Sequence, residues 1–181
     1  MARLARVPHV GLPLLIAAAL AAAPAHLPAQ TQAPAGPQEA GPQEAGVVGL
    51  FLDSASLQPT VVLQGLRDRR SFGMAIGAAE ATGIVYPLEN RVPPRPLTHD
   101  LFLTLFGRLK VTVTRVVITD LKDGIYYATV FLDAGGKEMQ LDARPSDAIA
   151  LAIRAKAPVL VEDRVFDKSE LLPGPSPAPR I

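Results

Sequence analysis

Two short polar segments combine residue types that suit phosphate chemistry. Arg95–Asp100 reads RPLTHD, and Asp142–Asp147 reads DARPSD. Each places an arginine, a hydroxyl and a carboxylate where a helix is predicted to begin. A helix N-terminus presents unpaired N–H groups and a positive field, and arginine can hold two phosphate oxygens at once. We therefore predict a phosphate-binding role for four residues: Arg95, Thr98, Arg144 and Ser146.

The same segments hold side chains that can bind cations or move protons. Asp100, Asp142 and Asp147 carry the oxygen ligands that Mg²⁺ and Mn²⁺ prefer. His99 can serve as a general acid or base, or as a metal ligand. We predict catalytic roles for these four residues. Asp142 and Asp147 are also predicted metal ligands, and Glu80, set among Gly and Ala, is a third.

A purely structural interpretation fits the same residues. Thr98 and Ser146 are ordinary helix-capping types, and Asp100 and Asp147 are favourable acids in a first turn. Glu80 fits a helix acid that faces solvent. Neither segment has a spacing as specific as that of a P-loop, so both interpretations remain open at this point.

Composition excludes several classes of protein. The 181 residues contain no cysteine, which excludes disulfide scaffolds, thiol nucleophiles and Cys-based metal sites. Of three histidines, His9 and His26 lie in a predicted leader, so the domain retains only His99. The formal net charge is +1, and residues 47–170 hold 15 basic and 15 acidic residues. This neutral domain lacks the overall basic charge of proteins that bind long nucleic acids through phosphates.

The chain is predicted to be exported. Residues 1–29 join Arg3 and Arg6 to an apolar run and then small residues, as in a secretory signal. The apolar run, Val10 to Ala23, is too short to span a bilayer. We therefore expect no stable membrane span after cleavage, and a periplasmic or extracellular protein. Residues 30–46 are predicted to be a disordered Pro/Gly-rich tether, 47–172 the folded domain, and 173–181 a disordered Pro-rich tail.

Hydrophobic periodicity predicts a single compact α+β domain. A hairpin and a three-strand meander form an antiparallel or mixed sheet, against which two or three helices pack. The apolar stripe of the second helix is Leu101, Phe102, Leu105, Phe106 and Leu109. The predicted strands are Val47–Leu52, Thr60–Leu66, Ser71–Ile76, Val111–Leu121, Ile125–Leu132, Glu138–Asp142 and Val159–Val161. The predicted helices are Ala78–Tyr86, Thr98–Leu109, Pro145–Ala155 and Asp163–Leu172.

Two longer motifs resemble those of the bifunctional nuclease family. They are Pro94–Leu101, PRPLTHDL, and Asp142–Ala152, DARPSDAIALA. Shorter matches support them: Ile76-Gly77, Glu80-Ala81, Asp120–Gly124, Tyr127-Ala128 and Ala157–Val159. The resemblance covers roughly residues 61–168. The export signal is a departure, because we expect most family members to be cytoplasmic.

The resemblance implies a compact α+β fold, oligomer formation, and nuclease activity on DNA and RNA, as described for plant members. We therefore predict phosphodiester hydrolysis assisted by Mg²⁺ or Mn²⁺, with nucleic acid as partner and a homo-oligomer as the assembly. The alternative is a non-catalytic binding or assembly module of the cell envelope. The family's motif residues here are Glu80, Arg95, Thr98, His99, Asp100, Asp142, Arg144, Ser146 and Asp147.

Overall fold

Seven strands and four helices make up the described part of the chain. A computed structural model describes residues 41–53 and 56–172, so the predicted signal, most of the tether and the tail lie outside it. None of the helices described there is long and apolar enough to cross a membrane. The strands are β1 (Gln43–Leu52), β2 (Pro59–Gly65), β3 (Ser71–Ala75), β4 (Val111–Lys122), β5 (Ile125–Ala134), β6 (Glu138–Ala143) and β7 (Val159–Val161). The helices are α1 (Ala78–Leu88), α2 (Thr98–Leu109), α3 (Pro145–Ala155) and α4 (Asp163–Lys168).

All seven strands join one mixed sheet in the order β3-β2-β1-β7-β4-β5-β6. The predicted β2–β3 hairpin and β4-β5-β6 meander are confirmed, and both are antiparallel. β7 connects the two halves: it pairs antiparallel with the start of β1 and parallel with β4. The predicted α+β class and mixed sheet are therefore confirmed.

The first strand begins earlier than the sequence indicates. We predicted a start at Val47, whereas β1 begins at Gln43, so the last residues assigned to the tether belong to the sheet. The Gln43 side chain is buried, donates to Asp68 at 2.9 Å and accepts the Arg67 N–H at 3.2 Å. A segment without large apolar side chains can thus join a sheet when the ladder and its buried polar groups are satisfied.

Helix α3 is the central helix of the domain. It contacts α1, α2, β4 and β5. Its small side chains let these neighbours approach closely, and it contributes an unbroken buried run from Ala148 to Ala152. The predicted bounds of α2 and α3 are confirmed. Helix α4 is shorter than predicted, because Leu171 instead forms an antiparallel bridge with Phe72.

Most of the apolar stripe on α2 does not face the core. No residue of α2 is fully buried, and only Leu103 and Phe106 pack against the core from its side. The exposed members of the stripe are Leu101, Phe102, Leu105 and Leu109. The expectation that this stripe packs inside one domain is wrong for these four, and α2 presents an apolar surface of this chain to solvent.

Candidate functional site

The starts of α1, α2 and α3 and the end of β6 converge on one region. Arg144 has an extended backbone (φ −67°, ψ 142°), as expected before a proline, and Pro145 opens α3. This turn places the second polar segment beside the first turns of the other two helices. The predicted site residues brought together here are Glu80, Thr98, His99, Asp142, Arg144, Ser146 and Asp147.

Arg144 lies at the centre of this group. Its guanidinium donates to Asp147 through Nε (2.7 Å) and Nη2 (3.1 Å), and to Glu80 through Nη1 (2.6 Å). The hydrogen bonds that Arg144 donates to Asp147 and then to Glu80 raise the pKa of Arg144, so it stays charged. Its side chain is nevertheless 63% exposed. A fixed cation of this kind presents its remaining surface to a ligand.

His99 extends the network from α2. Its Nε2 lies 3.2 Å from Oδ1 of Asp147, which Arg144 holds from the other side. Burial raises the pKa of Asp147, but hydrogen bonds from Arg144 and then from His99 outweigh it, so the pKa lies below 3.8. The pKa of the Glu80 carboxyl is lowered by a hydrogen bond from its own backbone N–H and then by one from Arg144. Both acids are therefore ionised at neutral pH.

The other ring nitrogen of His99 is buried without a hydrogen-bond partner in the described residues. It packs against Gly83 of α1, where a Cβ atom would lie 3.0 Å from Nδ1 and 2.7 Å from Cε1. Only Nε2 can therefore exchange a proton with a ligand, and it would have to give up Asp147 to do so. This geometry favours His99 as a residue that positions Asp147.

A cavity of about 540 Å³ opens between α2, β6 and α3. We call it the α2–β6–α3 cavity. Asp142 lies at its rim, exposed, and its carboxylate makes no hydrogen bond or ion pair with the described residues. The complete lining is Thr98, His99, Phe102, Phe106, Val130, Leu141, Asp142, Ala143, Arg144, Asp147 and Leu151. A free carboxylate and a fixed guanidinium thus share the rim of one apolar cavity.

A second cavity, of about 370 Å³, lies on the other side of Arg144. Glu80 and Ser146 line it together with Arg144. Ser146 is buried. Arg144 is therefore the residue that the two cavities share.

Two predicted site residues do not join this group. Arg95 is exposed and makes no hydrogen bond or ion pair with the described residues. Asp100 accepts the Leu97 N–H at 2.8 Å and the Nε of Arg154 at 2.7 Å. Burial raises the pKa of Asp100, but these two partners outweigh it and lower the pKa. Asp100 therefore caps the start of α2, as the structural interpretation predicts.

Two residues that support the site were missed by the sequence reasoning. Arg154 is 8% exposed and binds Asp100 and the carbonyls of Gly83 and Ala150, which ties α1 and α2 to α3. Helical spacing could have identified Arg154, because it lies seven residues after Asp147 and therefore on the same face of α3. Gly83, which makes room for the imidazole, carries no such signal.

The donor types suit a hard cation, but their arrangement does not form a metal site. Within residues 41–53 and 56–172, no group of three or more His, Cys, Asp or Glu side chains is placed to hold an ion. Glu80 and Asp147 already bind the guanidinium of Arg144, and this cation takes the place between them. The residues as arranged therefore do not fit a preformed Mg²⁺ or Mn²⁺ centre.

Comparison with known proteins gives a family match over most of this domain. A family model described as the bifunctional nuclease domain matches residues 61–173. "Uncharacterized protein Rv1829" of Mycobacterium tuberculosis is 36% identical over 126 residues, which cover 70% of this chain and 75% of that protein. "Bifunctional nuclease 1" of Oryza sativa subsp. indica is 35% identical over 81 residues, which cover 43% of this chain and 24% of the plant protein.

Proposed function

The chain belongs to the bifunctional nuclease domain family, and we propose that it hydrolyses phosphodiester bonds of DNA, RNA or both at the rim of the α2–β6–α3 cavity. The observation that carries this proposal is that two side chains lie on the same cavity: the fixed, exposed guanidinium of Arg144 and the unpartnered carboxylate of Asp142. The plant relative's name supports the same reaction class.

Arg144 is the proposed phosphate-binding residue. Its fork can hold two phosphate oxygens, but Glu80 and Asp147 occupy most of its donors. Two carboxylates against one guanidinium also leave this group negative, which repels a phosphate. Binding must therefore exchange one carboxylate contact for a phosphate contact. Thr98 in the first cavity and Ser146 in the second supply hydroxyls beside it, whereas Arg95 lies outside this group and takes no part in the proposed contact.

Asp142 is the proposed general base. Its carboxylate is exposed and unpartnered, so it can take a proton from a water molecule without breaking an existing bond. The hydroxide attacks phosphorus, the P–O bond to the leaving sugar oxygen breaks, and that oxygen takes a proton from a solvent water molecule. Asp142 then returns its proton to the solvent. Asp147 and Glu80 position Arg144, and His99 in turn positions Asp147. If His99 transfers a proton, it does so through its Nε2 atom. Asp100 acts through the helix start that it caps.

The dependence on Mg²⁺ or Mn²⁺ that the sequence predicts is a separate proposal. A divalent ion would offset the surplus of carboxylates around Arg144. Because no preformed site exists in the described residues, none of the steps above passes through a metal ion. Cleavage assays with Mg²⁺, Mn²⁺ or EDTA test this dependence directly.

The proposal is tested by assaying the purified protein on single- and double-stranded DNA and RNA. Arg144→Lys keeps the charge but loses the fork, so we expect KM to rise by about tenfold, the effect of one lost charged hydrogen bond. Lys156→Arg, at the far end of α3, is the control and should cut as the unchanged protein does. Cleavage that is unaffected by Arg144→Lys would contradict the assigned role.

One observation favours a second candidate, a non-catalytic assembly module. Four apolar side chains of α2 are uncovered in a single chain, and an exposed apolar patch is typical of an interaction surface. A homo-oligomer formed through this face would bury it. Sedimentation of Leu101→Asp beside Val92→Asp, an even more exposed apolar residue outside α2, tests this: only the first should lower the mass. A protein that assembles so but cuts nothing would favour this candidate.

We also propose that the protein acts outside the cytoplasm, because of the predicted signal in residues 1–29. Cell fractionation with an antibody against the folded domain tests it. Recovery in the cytoplasmic fraction at full length would contradict export.

A further inference from the structure

The α2–β6–α3 cavity has an apolar interior that the proposed hydrolysis does not use. Its apolar lining residues are Phe102, Phe106, Val130, Leu141 and Leu151, of which Val130 and Leu151 are buried, whereas Phe102 and Leu141 are exposed. Contact between water and such an apolar surface is unfavourable, so a ligand that covers the surface gains free energy. Its volume of about 540 Å³ lies within the range of roughly 300–1,000 Å³ that is typical of small-molecule sites.

Two aromatic rings form one wall of this cavity. Phe102 and Phe106 lie one helical turn apart on α2, with ring centroids 6.0 Å apart and planes tilted by 53°. Phe106 packs partly against the core, whereas Phe102 is 47% exposed. Because the Phe102 ring is half-exposed and lines the cavity, a ligand in the cavity can contact it. Nucleic-acid bases stack on aromatic rings without regard to sequence.

We propose that this cavity is a base-binding subsite: one unstacked base of the substrate lies on Phe102 while its phosphate is held by Arg144 at the rim. The inference rests on the proposed nuclease function. It follows from the order of surfaces around the opening, where a cation and the hydroxyl-bearing Thr98 border an apolar pocket with an aromatic wall. A nucleotide has the same order, with an anionic phosphate joined to a flat base of low polarity on its faces.

The subsite has a consequence for substrate choice. A base inside a duplex cannot reach the cavity unless it leaves the stack, which costs a few kcal/mol. Unpaired strands are free of that cost. The protein should therefore act on single strands, bulges and ends in preference to intact duplex, on DNA and RNA alike, because the ring contacts the base and not the sugar.

Stacking can be measured apart from cleavage. A single-stranded DNA oligonucleotide with one 2-aminopurine loses fluorescence when that base stacks, and it can be titrated with the full chain in EDTA. We expect quenching with the unchanged protein, and about 5- to 150-fold weaker binding with Phe102→Ala, from the known range for one base on one ring. Leu105→Ala removes an equally exposed apolar side chain of α2 that does not line the cavity, and it should bind as the unchanged protein does.

A second oligonucleotide of the same length, abasic at every position, separates stacking from phosphate binding. Phe102→Ala should not alter binding of the abasic strand, whereas Arg144→Lys should weaken binding of both strands. Equal binding of the 2-aminopurine strand by Phe102→Ala and the unchanged protein would overturn the subsite. So would a loss of binding that accompanies a lower mass in sedimentation, because Phe102 would then belong to an interface between copies.

These outcomes are distinguishable from failure of the nuclease proposal. Cleavage without quenching would refute the subsite and leave hydrolysis intact. Quenching that depends on Phe102, in a protein that cuts no substrate, would support the subsite as a nucleotide-binding site and refute the nuclease.

Discussion

The contact between Gly83 and His99 predicts that Gly83→Ala changes the free energy of unfolding in opposite directions, depending on whether the imidazole of His99 is present. Replacing a helical glycine with alanine normally raises the free energy of unfolding by about 0.8–1.0 kcal/mol. At Gly83 the new Cβ atom would lie 2.7 Å from Cε1 and 3.0 Å from Nδ1 of His99. The 2.7 Å separation is too short for a Cβ contact and the 3.0 Å separation is tight, so the imidazole or α1 must shift.

The expected size of the effect follows from these two terms. Overpacking of a core position costs about 1–3 kcal/mol, so Gly83→Ala alone should lower the free energy of unfolding by between about zero and 2 kcal/mol. In a His99→Ala background the next nearest atom is the Cβ of Ala150 at 3.8 Å, an ordinary contact. There the same substitution should stabilise by about 1 kcal/mol, which gives a coupling energy of about 1–3 kcal/mol.

Urea unfolding of the unchanged protein, both single variants and the double variant measures this coupling. The account predicts that Gly83→Ala destabilises when the imidazole is present and stabilises when it is absent. Equal effects in both backgrounds would refute the packing of His99 against Gly83, and with it the inference that Nδ1 is closed to ligands.

Three further predictions concern the ion pairs. Arg154→Met removes one of the two donors to Asp100 and the donor to two backbone carbonyls, and it should lower the free energy of unfolding by about 1–3 kcal/mol, measured in urea; no loss would contradict its role in joining α1 and α2 to α3. The pKa of Asp147 lies below 3.8, so its contribution to stability is present above that value and is lost as pH falls through the lower, folded pKa. Asp147→Asn should therefore flatten the decline of stability below about pH 4 in acid unfolding, and an unchanged decline would count against this pair. A hydrogen bond from Lys168 lowers the pKa of Asp120 to about 2; Lys168→Met should move it toward 3.8 in a carboxyl NMR titration, and no movement would assign the shift to other groups.

Local signals predicted the helices that carry the site. Thr98 before an apolar stripe and Pro145 before a run of small residues mark the starts of α2 and α3, and both starts are confirmed. The expectation that Thr98 and Ser146 cap these helices is wrong, because Leu97 and Arg144 hold the N-cap positions and neither helix has a side-chain cap hydrogen bond there. These signals depend on neighbouring residues only, so a single sequence contains them. The order of the polar motifs likewise pointed to the family that the comparison confirms.

The contacts within the site could not be predicted in the same way. Glu80 and Arg144 are 64 residues apart, and their pairing depends on how α1 packs against α3. The sequence offered Glu80 as a metal ligand or as a solvent-facing acid, and the structure shows a third arrangement, an ion pair. Periodicity also predicted a buried stripe on α2, because an apolar pattern does not reveal whether the same chain covers it.

The most direct test of the central claim is the rate of phosphodiester cleavage by Asp142→Asn. Glu170→Gln, which removes another exposed carboxylate that makes no ion pair with the described residues, is purified beside it as the control. We expect cleavage by the unchanged protein and by Glu170→Gln, and a kcat about 10²- to 10⁴-fold lower for Asp142→Asn, the usual contribution of a general base. Equal cleavage by all three proteins would contradict the assignment of catalysis to the rim of the α2–β6–α3 cavity.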